Sequence, residues 1–113
     1  MDGGQTQTGL TILAGPEETD YVIRLIGEFD LESQPAVEAA IAEGEASGAE
    51  RVIIDVSALE FVDSTGLGVL LAAKKRADIS GLHLRFTRAQ GSVAEFFRLT
   101  AMDLSLPFVD RAP

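Results

Sequence analysis

The chain has 113 residues, 46% hydrophobic and 24% charged, with 9 Lys and Arg against 18 Asp and Glu for a formal net charge of −9. That length supports one domain, because a chain of this size buries roughly two-thirds of its unfolded surface. The acidic balance disfavours nucleic acid and anionic membrane, which are bound through clustered Lys and Arg, and the absence of cysteine excludes disulfides, cysteine nucleophiles and thiolate metal sites.

Taken in chain order, residues 1–8 (MDGGQTQT) offer no basic stretch leading into an apolar one. Residues 1–7 are therefore expected to be a flexible N-terminus without an export signal, and the chain is expected to be cytoplasmic. Residues 11–14 and 21–29 read as the two strands of a hairpin around a turn at Gly15-Pro16, with Glu17, Glu18 and Asp20 keeping the connection wet. Ser33 then stands as the N-cap of a helix with Pro35 in its first turn, where a missing N–H costs little. Its apolar face, Val37, Ala40 and Ile41, carries it to Gly44 or Gly48. The run RVIIDV at 51–56 reads as a central strand, covered on both faces or buried between neighbours.

After Asp63-Ser64-Thr65-Gly66, the positions Leu67, Leu70, Leu71 and Lys74 follow at helical spacing. Lys74, Lys75 and Arg76 are expected in the last turns of that helix, where cations suit its dipole. The apolar run 67–73 falls far short of the ~20 residues a membrane-spanning helix needs. Residues 82–87 alternate Leu, Leu and Phe with His, Arg and Thr, as a half-exposed strand does. Ser92 is expected to cap a third helix carrying Val93, Phe96, Phe97 and Leu99, and residues 106–109 close the chain as a short strand. The order ββαβαβαβ is that of an α/β domain, a sheet covered by helices.

Unusual chemistry concentrates in the strand-to-helix segment 61–68 (FVDSTGLG), which packs two hydroxyls beside a carboxylate. Free N–H groups at a helix start favour an anion, and a serine at N-cap or N1 offers its hydroxyl to solvent and to a visiting enzyme, so a phosphoryl group fits there. Asp-Ser-Thr before an apolar helix is equally the pattern of ordinary capping. Gly66 and Gly68 each cost up to about 1 kcal/mol against alanine inside a helix, which points to a backbone or partner surface coming close.

Enzyme readings fail on spacing. A hydrolase elbow needs glycine two residues before the nucleophile, where Val62 stands, and a triad needs a histidine, whereas His83, alone of its kind, reads as a surface imidazole in a strand. Gly66-x-Gly68 lacks the third glycine of a dinucleotide loop, Leu71 standing in its place, and scattered carboxylates give no metal-ligand spacing. Asp55, ending a buried strand, lacks the second acid pair and late lysine that a receiver-type phosphoacceptor requires, and reads as capping the following turn.

The segments 27–30 (GEFD), 52–56 (VIIDV), 61–70 (FVDSTGLGVL) and 97–102 (FRLTAM) together resemble the STAS domain family, specifically its bacterial anti-sigma factor antagonists. The resemblance covers about residues 8–111, the expected domain. It implies a mixed sheet flanked by helices and a partner-switching role without catalysis. The unmodified domain would bind an anti-sigma factor that is also a serine kinase, and so free a sigma factor. The acceptor in that family is the serine after the aspartate of the Asp-Ser-Ser/Thr-Gly loop, here Ser64. ATP and magnesium would belong to the kinase, leaving no cofactor or metal for this chain, and a serine phosphatase would restore the hydroxyl. Asp30 and Asp63 match acidic positions expected to contact or orient the kinase, Thr65 is the neighbouring hydroxyl, and Gly66 and Leu67 complete the expected partner-binding set. The same family also includes constitutive scaffold subunits of transport complexes at the cytoplasmic face of membranes, in which no kinase takes part.

Overall fold

A computed structural model of the chain describes residues 4–7 and 9–110. The elements are β1 (Gly4–Gln7), β2 (Leu10–Glu17), β3 (Asp20–Phe29), α1 (Gln34–Glu45), β4 (Arg51–Val62), α2 (Ser64–Ser80), β5 (Leu84–Thr87), α3 (Gly91–Leu99), α4 (Met102–Ser105) and β6 (Phe108–Val109). They form one six-stranded mixed sheet in the order β1-β2-β3-β4-β5-β6, antiparallel at the first two pairings and parallel from β3 onward. Among the described residues no helix is long and apolar enough to cross a membrane.

Every second residue of a strand points to the same side of the sheet. Leu10, Ile12, Ile23, Leu25, Val52, Ile54, Val56, Leu84 and Phe86 share one face and one apolar cluster with Val37 and Ile41 of α1, Leu67, Leu70 and Ala73 of α2, and Val93 and Phe97 of α3. At about 25 cal/mol per Å² of apolar surface removed from water, this face is what holds helices and sheet together. The sequence expectation of an α/β sheet flanked by helices holds, with differences at the element ends. Residues 4–7, expected in a flexible N-terminus, pair with β2 as its outer neighbour; residues 1–3 of that segment, and the expected domain limits 8 and 111, lie outside the described residues.

The hairpin turn falls at Glu18-Thr19, not at Gly15-Pro16, which pair inside the ladder with Val22 and Tyr21. Pro16 is tolerated there because β1 pairs with β2 only as far as Leu13, so no described neighbour calls for its missing N–H. Ser33 occupies the N-cap position of α1 but makes no capping bond; the capping is done upstream by Asp30, whose carboxylate accepts from Glu32 N at 3.1 Å. Lys74, Lys75 and Arg76 sit mid-helix, because α2 continues to Ser80 and closes at Gly81. Gln90, not Ser92, is the N-cap of α3, and Ser92 Oγ donates instead to the Glu60 carbonyl at 3.3 Å.

Strand β4 is twice the expected length. Its pairing with β3 slips by one residue between Arg24 and Ile26 and again between Gly27 and Glu28. Each bulge flips the side-chain parity, so Val56, Leu59 and Val62 all turn toward the core although they are three apart. Asp55 anchors the first bulge from the opposite face of the sheet, where it is itself buried. Its Oδ1 accepts from Ser57 N at 3.0 Å, Ser57 Oγ at 2.6 Å and Thr87 Oγ1 at 2.8 Å, and Arg24 Nε lies 3.5 Å from Oδ2. Burial on its own would raise the Asp55 pKa, but the hydrogen bonds from Ser57 and Thr87 and the charge of Arg24 outweigh it and hold the carboxyl below its ordinary 3.8. The expectation that Asp55 ends the strand and caps a following turn does not hold, because β4 continues to Val62; Asp55 instead holds Ser57 within the bulge and reaches Thr87 and Arg24 on the neighbouring strands.

A carboxyl with a depressed native pKa contributes stability above its unfolded pKa and loses it as pH falls through the native value. Asp55→Asn, which cannot accept at both oxygens, is expected to cost about 1–3 kcal/mol at pH 7. Urea unfolding should show that difference unchanged down to about pH 5 and shrinking below about pH 4.

Candidate functional site

The C-terminal ends of β3 and β4 lie side by side, Phe29 opposite Val62, and each strand is followed directly by an aspartate. In parallel sheets this edge is where ligands and partners are met, because the loops there are free to carry polar groups. Asp63 N donates to Phe29 O at 3.3 Å, which ties the two strand ends together just before the chains diverge. Asp30 then caps a single 3-10 turn over Leu31–Ser33, and Asp63 caps α2. Asp63 Oδ1 accepts from Gly66 N at 2.9 Å, satisfying one of the orphan donors of the helix start. Asp30 Oδ1 holds Glu32 N and, at 3.4 Å, the hydroxyl of the fully buried Ser33.

That geometry sets apart the two hydroxyls between Asp63 and Gly66. Ser64, at N1 of α2, is exposed, and its hydroxyl has no hydrogen-bond partner among the described residues. Thr65 is half-buried. The capping and the phosphoryl-acceptor readings of this loop are thus not exclusive: Asp63 does the capping, and Ser64 is left over. A phosphoryl group on Ser64 would meet the amino end of α2, worth about 1 kcal/mol in its favour, and the carboxylate of Asp63, which opposes it.

Gly66 and Leu67, expected on the partner-binding surface, are buried. A Cβ on Gly66 would lie 2.6 Å from Val62 Cγ2 and 3.2 Å from the Phe29 ring, so its glycine lets α2 sit directly on the ends of β3 and β4. Leu67 is 9% exposed and belongs to the core. These two residues seat the loop and do not face a visitor. Gly66→Ala is expected to destabilise by about 1–3 kcal/mol through overpacking, and Gly68→Ala, with nothing within 4 Å of its Cβ, to be neutral or stabilising. Parallel urea titrations of the two variants test the pair. The close approach inferred from glycine holds for Gly66 alone.

Two features escaped the sequence reading. An open cleft of about 400 Å³ lies between the end of β4 and the start of α3, lined by Phe61, Val62, Val93 and Phe96 with Asp63, Ser64 and Ser92. Phe61 is 48% exposed and Leu31, directly after Asp30, is 65% exposed, so large apolar groups flank the loop. The signal for Phe61 was present in the parity of β4, but only once the bulges are known. His83 is exposed, as expected, but precedes β5, and lines a separate open depression with Thr19, Asp20, Glu50 and Arg51 at the opposite end of the sheet.

The family model of the STAS domain matches residues 12–111. An anti-sigma-F factor antagonist, RsfB of Mycobacterium tuberculosis, is 34% identical over 85 residues, 74% of this chain and 67% of that protein. The crystal structure of an anti-sigma factor antagonist from Mycobacterium paratuberculosis superposes with a TM-score of 0.75 at 28% identity, covering 90% of this chain and 86% of that one. The Bacillus cell fate determinant SpoIIAA in its phosphorylated form superposes with a TM-score of 0.67 at 20% identity, covering 89% and 91%, a likeness of fold. With the family model spanning β2 to β6, the chain belongs to the STAS domain family.

Proposed function

We propose that this chain is a cytoplasmic anti-sigma factor antagonist and not an enzyme. Its unphosphorylated form binds an anti-sigma factor that is also a serine kinase, and so releases a sigma factor. Transfer of a phosphoryl group from ATP to Ser64 ends that binding; the nucleotide and its magnesium belong to the kinase, and a serine phosphatase resets the chain. Asp30, Asp63 and Thr65 border the contact. The observation that carries this reading is the exposed hydroxyl of Ser64, without a hydrogen-bond partner among the described residues, at the first position of α2, between a capping aspartate and a half-buried threonine. The relative that is 34% identical carries the name of an anti-sigma-F factor antagonist, which agrees with it.

The chemistry is local. The kinase supplies the phosphoryl group and removes the hydroxyl proton, while this chain holds Oγ on a helix start whose first turn is fixed by Asp63. Incubation with the anti-sigma kinase and ATP should add one phosphate to the wild type and to Thr65→Val, and none to Ser64→Ala, by intact-mass spectrometry. Transfer to Thr65 overturns the assignment of the acceptor. A chain that takes no phosphate and instead copurifies with a membrane transport complex is a constitutive scaffold.

A further inference from the structure

We infer that the cleft beside Ser64 seats one aliphatic or aromatic side chain of the protein partner, delivered by a segment that also carries a lysine or arginine. The inference rests on the switch reading of Ser64 and names what the same site holds in its unphosphorylated state.

The two walls come from separate elements. Phe61 and Val62 belong to the last residues of β4, Val93 and Phe96 to the first turns of α3, and Ser92 Oγ to Glu60 O at 3.3 Å ties the walls together at the rim. Phe61 is large, aromatic and 48% exposed, the residue type that concentrates binding energy when a partner covers it. Water in such an apolar recess gains few hydrogen bonds, so an apolar side chain displaces it favourably. Among the described residues the polar lining consists of Asp63, Ser64 and Ser92, one carboxylate and no cation. In a chain of net charge −9, that rim selects a basic neighbour next to the apolar anchor. The placement also gives phosphorylation a second action: a doubly charged group at the mouth of an apolar recess must lose water when the anchor enters.

The test measures binding of the purified anti-sigma kinase to the full chain by calorimetry, with its steady-state kinetics toward the chain as substrate. Phe61→Ala is expected to weaken binding about tenfold or more and to raise KM with kcat within about twofold, since docking and not the reacting hydroxyl is touched. Ser92→Trp, which fills the recess from an exposed position and gives up the bond to Glu60, is expected to do the same while still unfolding in one cooperative thermal transition. Ile79→Ala and Leu104→Ala, 88% and 86% exposed and outside the cleft lining, should leave affinity unchanged. Wild-type affinity in Phe61→Ala overturns the inference, whatever Ser92→Trp does, because a bulky group near Ser64 blocks any docking mode. If Phe61→Ala binds normally while Ser64→Asp is weakened, the cleft assignment alone fails; if Ser64→Asp also binds normally, the switch reading fails with it.

Discussion

Ser64→Asp should weaken binding of the anti-sigma factor about thirtyfold, and Ser64→Ala should leave it unchanged. The alanine variant loses a hydroxyl that has no partner among the described residues, so nothing in the folded chain misses it. The aspartate variant sets a second carboxylate next to Asp63. Two unit charges about 5–6 Å apart repel by ~0.75 kcal/mol in water and by ~3 kcal/mol at an effective dielectric near 20. Covering the site with a partner converts the first value into the second, a loss of about 2 kcal/mol of affinity, or roughly thirtyfold. A phosphoserine carries nearly twice the charge and should lose about 4 kcal/mol, on the order of a thousandfold. A full swing from mostly bound to mostly free needs about 5.5 kcal/mol; stripping water from the phosphate itself supplies the remainder. The fold is not required to change. Surface plasmon resonance of the two variants against the anti-sigma factor reads both numbers, and equal affinities for alanine and aspartate would contradict the electrostatic origin.

The second large effect is on stability. Gly27→Ala should unfold about 10–15 °C below the wild type in a calorimetric scan. Gly27 has φ +107, a region costly for any residue with a Cβ, and an ideal Cβ there would lie 2.2 Å from the Gly9 carbonyl oxygen. That oxygen accepts from Glu28 N at 2.8 Å, so it cannot withdraw without breaking the ladder between β2 and β3. Backbone strain of about 1–3 kcal/mol adds to an overpacking cost of similar size, and each kcal/mol moves the midpoint of a domain this small by about 4 °C or more. Gly15→Ala is the comparison: its Cβ meets nothing within 4 Å, and the variant should stay within about 0.5 kcal/mol of the wild type. Because the second register shift of β4 falls between Gly27 and Glu28, Gly27→Ala should also disturb the delivery of Asp30 and Asp63.

How much of this was legible in the sequence depended on whether one element decided its own geometry. Strands 21–29 and 51–56 and the helices after Ser33 and Asp63 announced themselves, because apolar period and capping residues agree there. The capping aspartate and free serine of the 63–66 loop were legible for the same reason: both are local. Three things depended on neighbours. The hairpin turn lies at Glu18-Thr19 because the outer edge of β2 past Leu13 tolerates Pro16, and that tolerance is a property of the sheet. The outer half of β4 was hidden because its two bulges turn a period of two into steps of three at Val56, Leu59 and Val62. The partners of Asp55, Arg24 and Thr87, lie 31 and 32 residues away, beyond any local pattern. The cleft beside Ser64 shares that origin, since its walls are 31 residues apart from Phe61 to Ser92 and meet only when β4 and α3 are both in place.

The most direct measurement of the central claim is the dissociation constant of the anti-sigma factor for the stoichiometrically Ser64-phosphorylated chain, set against that for the same preparation after phosphatase treatment. The charge argument predicts that the phosphorylated chain binds several hundredfold more weakly or worse, with backbone amide spectra unchanged outside the 61–68 segment and its contacts. Affinities within about threefold of each other, in a chain shown by mass to carry its phosphate on Ser64, would contradict it.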